Sequence, residues 1–323
     1  MIHDKDAELH PAPADDPLWA ETNYFGFEVP GVPLHIGLYS LFRPNLGIVN
    51  SAIFANSRRV TSDWEIDYWD HRAYLPMKAD ESLLGFELRN SLKVTCLEPN
   101  RVWELRFHQP ELLSVDVRFE ALMPPFDIHD PDMDPRAHRG GSDLSAGELW
   151  SGGHFDMTGA VTGSVTVRGT RHDVDWLSTM DHSWGHRDEY QPGVMTWLQA
   201  HFSRNLAIHG MFDFDPATPA GEDLHLTLTH GYLLQDGAAI GLKDGTGITC
   251  RTGLYPDRII LDLVDARDRS WHLEGESQTA FPAEYWPGSM SFMVLPRWSM
   301  NGQTGYGTST DFYDYSHFPR LFP

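Results

Sequence analysis

Leu113-Ser114-Val115-Asp116-Val117-Arg118-Phe119 alternates apolar and polar side chains without a break, and that period of two decides how the chain is read. Successive side chains of an extended strand point to opposite faces, so Leu113, Val115, Val117 and Phe119 share one face and Ser114, Asp116 and Arg118 the other. The same rhythm recurs on both sides of this run. Val102-Trp103-Glu104-Leu105-Arg106-Phe107 precedes it; Gly163-Ser164-Val165-Thr166-Val167-Arg168-Gly169, Leu224-His225-Leu226-Thr227-Leu228-Thr229 and Arg258-Ile259-Ile260-Leu261-Asp262-Leu263-Val264 follow. Each presents one face to a core and one to water, as antiparallel sheets do. The turn signals Gln235-Asp236-Gly237 and Lys243-Asp244-Gly245 predict hairpins between such runs. No segment carries the helical period over an ordinary helix length, so the fold class is all-β.

At roughly 150 residues per domain, 323 residues predict about two domains. Residues 124–147 are rich in Pro, Asp, His, Arg and Gly and lack apolar periodicity, which marks a linker or excursion loop. The expected division is therefore 1–140 and 141–323, each half an antiparallel β-barrel or sandwich, the two packed together. Closure removes exposed sheet edges, and a barrel interior or a seam can hold a small apolar ligand. Hydrophobic residues at 41% and charged residues at 22% exclude a wholly disordered chain. A net charge of −22 argues against nucleic acid or an anionic membrane surface as partner. No run approaches the roughly 20 apolar residues that span a bilayer, and the polar opening Met1 to His10 is unlike a secretory leader. The expected location is cytoplasmic, with a homodimer left open. Cys96 and Cys250 lie in strand-like runs and read as buried free thiols.

The densest chemistry is Met180-Asp181-His182-Ser183-Trp184-Gly185-His186-Arg187-Asp188-Glu189-Tyr190. If it is extended, His182 and Trp184 face one way and Asp181 and Ser183 the other. A histidine beside an indole is partly desolvated, which lowers its pKa unless a carboxylate compensates, and it can exchange a proton near neutrality. Ion pairs that merely tie loops together explain such a cluster equally well. Trp197-Leu198-Gln199-Ala200-His201-Phe202 and Leu206-Ala207-Ile208-His209-Gly210 form the next hairpin, with Trp197, Gln199 and His201 on one face. Trp150-Ser151-Gly152-Gly153-His154 brings another histidine, placed to neighbour His182. Tyr68 and Trp69, within the aromatic and acidic run Trp64 to Tyr74, suit the rim of a pocket for a planar or polyene-like ligand. His154, His182 and His201 could ligate zinc or iron, but none has the i, i+4 spacing of a helical zinc motif, and no metal or other cofactor is assigned. No phosphate loop, nucleophile elbow or dinucleotide turn occurs.

The string Asp181-His182-Ser183-Trp184-Gly185-His186-Arg187-Asp188 resembles a signature of the lipocalin-like two-domain superfamily. That superfamily includes carotenoid 1,2-hydratases, Diels-Alderase-type cyclases and a large bacterial group sharing a DHSWG.RD string. The strand Thr158-Gly159-Ala160-Val161-Thr162-Gly163-Ser164-Val165 and the close Asn301-Gly302-Gln303-Thr304-Gly305-Tyr306-Gly307 are also similar. The likeness is strong in the second half and loose in the first, through Tyr24-Phe25-Gly26-Phe27 and Leu34 to Tyr39. In the hydratases a His and a Trp of an Asp-His-Asn-Trp-Gly string are implicated in protonating an alkene. His182 and Trp184 match them, whereas Ser183 replaces Asn and the later Tyr and Asp have no clean match in Ile208 to Asp213.

The expectation is an acid-base enzyme without cofactor, a hydratase, isomerase or cyclase, acting on a hydrophobic isoprenoid, aromatic or polyketide-like molecule. His182 would move the proton, oriented by Asp181 or Asp188. Trp184, Arg187, Tyr190, Trp197, His201, His154, Tyr68 and Trp69 would contact the substrate. A carrier that binds such a ligand unchanged is the alternative, and a His-ligated metal enzyme the second.

Overall fold

The computed structural model describes residues 1–137, 152–188, 193–286 and 288–322. It divides into two compact units: Met1–Ser57 with Ile66–Asp127 and Trp150–Arg187, and Arg58–Glu65 with Ile128–Leu149 and Asp188–Pro323. Both are all-β and antiparallel, the lipocalin-like architecture expected.

The first unit holds β1 (Trp19–Val29), β2 (Leu34–Arg43), β3 (Ile48–Asn56), β4 (Tyr68–Pro76), β5 (Gly85–Glu87), β6 (Lys93–Glu98), β7 (Val102–Gln109), β8 (Leu113–Ala121), β9 (Phe126–Asp127), β10 (Gly153–Val167) and β11 (Thr170–His186). They form one half-barrel sheet in the order β4-β3-β2-β1-β11-β10-β8-β7-β6-β5, with β9 beside β10. On β8, Leu113, Val115, Val117 and Phe119 are buried, as the alternation dictates. They join Phe25, Phe27, Trp103, Phe107, Phe155 and Met180 in one core. Burying each such side chain fully stabilises by roughly 1.5–3 kcal/mol.

The second unit holds β12 (Met195–Ser203), β13 (Leu206–Asp213), β14 (Leu224–Gln235), β15 (Ala238–Thr252), β16 (Tyr255–Asp265), β17 (Ser270–Ala283), β18 (Ser289–Met300), β19 (Gln303–Tyr306) and β20 (Ser309–Asp314). β19 and β20 both lie between β18 and β12 and fill one position, so the pairing of β12 with β13 on its other side closes an eight-stranded barrel. Among the described residues the one α-helix is the four-residue Phe318–Leu321.

Three expectations are corrected. The boundary at 140/141 assigned the β10–β11 hairpin to the second half, yet β11 pairs with β1 and β10 with β8, so it belongs to the first unit. The composition of the excursion loop marked where the chain leaves the sheet, not which sheet it returns to. Lys243-Asp244-Gly245 is no turn but a bulge inside β15, where the register shifts between Leu242 and Asp244. A Cβ on Gly245 would stand 2.6 Å from Leu263 Cδ2, so that glycine serves close packing. Cys96 and Cys250 are free thiols of intermediate exposure, not fully buried ones. Gln235-Asp236-Gly237 does turn β14 into β15, and Asn301-Gly302 turns β18 into β19.

Candidate functional site

The signature string forms the end of β11, and its two faces differ in chemistry. Its register with β1 sets Trp184 opposite Glu21, His182 opposite Asn23 and Met180 opposite Phe25. Asp181 stands opposite Tyr24 and Ser183 opposite Thr22. Directly opposed residues share a face. His182 and Trp184 therefore point with Phe25 and Met180 toward the core, and Asp181 and Ser183 point away from it, as the period of two predicted.

On the core-facing side, the Trp184 indole lies against Gly153 on β10, where any Cβ would come within 2.2 Å of the ring. Gly185 after it adopts φ 145°, a conformation that side chains with a Cβ rarely take. The tryptophan–glycine step thus seats the indole and lets the strand leave it. His10 stacks on Trp184 with ring centroids 3.9 Å apart and planes within 10°. Glu21 Oε1 accepts from the His10 backbone N–H (2.6 Å) and Trp19 Nε1 (3.4 Å), and Glu21 Oε2 lies 3.0 Å from His10 Nδ1 and 3.6 Å from His182 Nε2. Burial pushes the Glu21 carboxyl above its usual range, against the opposing pull of His10. His182 is 2% exposed; burial first, then the nearby His10 and His154, hold its pKa down to about 3, so it is neutral at physiological pH.

The opposite face carries a row of side chains straight across six strands. Asp156 on β10 stands beside Asp181 on β11, Tyr24 on β1, Tyr39 on β2, Ala52 on β3 and His71 on β4. Neighbours in such a row are about 5 Å apart. The Tyr24 ring lies over Gly26, where a Cβ would meet its hydroxyl at 2.2 Å. Tyr24 Oη is 3.2 Å from His35 Nε2, and His35 Nδ1 is 3.6 Å from Glu28 Oε1, a buried chain of three polar groups. Burial, Glu28 and Asp181 together raise the Tyr24 pKa well above the ordinary phenol value. His154 Nε2 is 2.9 Å from Asp156 Oδ2. Burial opposes a charge on this imidazole, but Asp156, through charge and hydrogen bond, and then Asp181 outweigh it and leave its pKa raised. Asp181, Trp69 and His71 remain partly exposed on this face. Ser183 Oγ bonds Thr22 Oγ1 (2.6 Å) and accepts from Arg187 Nη2 (3.0 Å).

The expected site is thus split. Asp181 cannot orient His182, because the two point to opposite faces of one strand; Glu21 and His10 are the partners of His182. Asp188 belongs to the second unit. His154 is on the strand next to His182 but opposite Ser183, so it too faces away, and the set His154, His182 and His201 is not assembled within one unit. Tyr68 packs into the core, whereas Trp69 points to the side of Asp181. Trp184 shapes the core-facing cluster. Trp197 and His201 lie in the second unit on the face of β12 opposite its core residues Leu198 and Ala200. Tyr190 lies outside the described residues. His10, Glu21, Asp156 and the Glu28–His35–Tyr24 chain had not been singled out for chemistry; the signal for Glu21 was its parity with Phe25 and Phe27 on β1.

A half-barrel sheet and a closed barrel, both antiparallel, with a polar row on one strand face, define a lipocalin-like two-domain protein. The chain belongs to the family described as Domain of unknown function (DUF7064), which it matches over residues 3–315. No curated protein matches it in sequence. Among solved structures, CghA is similar over 91% of this chain and 88% of its own, at 11% identity and a TM-score of 0.53. Kievitone hydratase from Nectria haematococca is similar over the same shares, at 12% identity and a TM-score of 0.53. CghA with Sch210972 superposes alike, at 11% identity and a TM-score of 0.53, over 92% of this chain and 89% of its own.

Proposed function

We propose that the protein is an acid-base enzyme of the hydratase or cyclase type, working on the face of the first sheet that carries Asp181, His154, Asp156 and Tyr24. The observation that carries this reading is the His154–Asp156 pair beside Asp181. Charge and hydrogen bonding from Asp156 raise the pKa of a buried imidazole above its ordinary value, which favours its proton-bearing form, and Asp181 stands beside the pair as a carboxylate that can receive a proton. In a hydration, His154 gives its proton to an unsaturated carbon, water adds to the resulting cation, and the proton that water sheds passes to Asp181. A cyclisation or isomerisation uses the same donor without the water. Tyr39 and Trp69 on this face offer apolar area and π faces to a hydrophobic substrate of isoprenoid, aromatic or polyketide type. The structural likeness to kievitone hydratase, a hydratase by name, and to CghA, which has been seen with Sch210972, supports this class. His182, neutral and on the core side, is assigned no proton transfer in this reading.

The test is mass spectrometry of a cell extract's small molecules before and after incubation with wild-type protein, His154→Gln and Asp181→Asn. A compound consumed only by wild type, with a product differing by one water or by nothing, supports the proposal. The same hydrophobic compound retained unchanged by all three proteins defeats it in favour of a carrier.

A further inference from the structure

We infer that His10, Glu21 and His182 form a binding site for one divalent transition-metal ion of the zinc class. Each offers one ligand atom, and the three atoms lie within 4.8 Å of one another. Two of the edges, 3.0 Å from His10 Nδ1 to Glu21 Oε2 and 3.6 Å from His182 Nε2 to Glu21 Oε2, bracket the separation of about 3.4 Å between ligands of a tetrahedral ion with bonds of about 2.1 Å. The third edge, between the two imidazoles, is within 4.8 Å, and His10 sits on the N-terminal segment before β1.

The supporting bonds aim all three ligands. His182 is held by a hydrogen bond to the Thr22 backbone, and its buried Nε2 finds no hydrogen-bond partner among the described residues. Nε2 thus directs a lone pair at a carboxylate oxygen, an arrangement of two acceptors that a cation between them satisfies. Glu21 Oε1 is occupied by the His10 backbone N–H and Trp19 Nε1, while Oε2, paired with His10 Nδ1, is the oxygen that ligates once an ion replaces the proton between them. When His10 ligates through Nδ1, its proton resides on Nε2, 3.5 Å from Asp6 Oδ1, and Asp6 is itself fixed by the His3 backbone N–H. A carboxylate behind a ligating imidazole is the usual outer support of a zinc histidine. Two imidazoles and one carboxylate select a borderline metal over calcium or magnesium, which demand more oxygen ligands. The His10 side chain is 18% exposed and gives the ion its route in. This site faces the core side of β11 and does not depend on the acid-base reading of the opposite face.

The test uses the full chain without an added histidine tag, stripped with chelator and titrated with Zn²⁺ against a chromophoric competitor. A parallel Co²⁺ titration is read by visible absorption. The expected result is one ion per chain with a four-coordinate Co²⁺ band. Asp6→Asn should weaken binding by roughly 10- to 100-fold and His10→Ala by more, with His272→Gln, an exposed histidine of the second unit, unchanged. Absence of stoichiometric binding, or equal affinity in His10→Ala, overturns the inference. His10 lies outside the sheet and its removal tests the site even if a variant at His182 does not fold.

Discussion

The two faces of β11 near Asp181-His182-Ser183-Trp184 are built from one strand, yet they treat a buried histidine in opposite ways. On the core side, apolar burial dominates and His182 is held neutral beside Glu21 and the stacked rings of His10 and Trp184. On the other side, Asp156 and Asp181 overcome burial and raise the His154 pKa above its ordinary value. Adjacent strands and nearly equal exposure, 2% and 1%, thus give pKa shifts of opposite direction. The neighbouring charges decide the outcome, not the depth of burial.

The core side breaks most severely if its indole is removed. Trp184→Ala deletes the ring that covers Gly153 and stacks on His10, and large aromatic-to-alanine changes in cores cost about 3–5 kcal/mol. Urea unfolding should show that loss, together with release of the His10 segment to hydrogen exchange. Unchanged stability would mean that the tryptophan–glycine step is not part of the core.

Asp156→Ala attacks the other face and strands an imidazole at a site with 1% exposure. Removing one partner of a buried pair costs about 3 kcal/mol, and Asp156→Asn should cost less because an amide oxygen still accepts a hydrogen bond. The pH dependence sharpens the contrast. A folded pKa above the unfolded value of 6.5 means that the His154 contribution is complete below pH 6.5 and is lost as pH rises through the folded pKa. In Asp156→Asn the imidazole should titrate below 6.5, with the ring carbon shifts of labelled histidine as the readout. A titration unmoved by the substitution would detach His154 from Asp156.

Much of this contrast was legible in the sequence. The period of two assigned His182 and Trp184 to one face and Asp181 and Ser183 to the other, and it read the strands around Leu113 and Gly163 correctly. Periodicity says nothing about which distant strand becomes the neighbour. The pairing of β11 with β1, some 160 residues earlier, therefore escaped it, and with it the partners Glu21 and Tyr24. His10 escaped for a different reason: it sits in a polar opening segment with no strand rhythm, where only the stack on Trp184 gives it a place. Asp156 was visible in sequence, but its role depends on the register that sets it beside Asp181.

The smallest effect concerns the residue by which this string departs from the Asp-His-Asn-Trp-Gly form of the hydratases. Ser183 is fully buried, and its hydroxyl joins Thr22 on β1 to Arg187 just past the end of β11. Ser183→Ala removes both bonds while changing shape little, so the cost is that of lost hydrogen bonds, about 1–2 kcal/mol by denaturant unfolding. The loss should be absorbed locally, because Arg187 is also tied through its backbone to Leu18 and Arg43. The His154 titration should stay in place, since Asp156 still holds that ring. If instead Ser183→Ala moved the His154 titration as far as Asp156→Asn does, the polar row would act as one coupled network, and the assignment of its proton to the His154–Asp156 pair would fail.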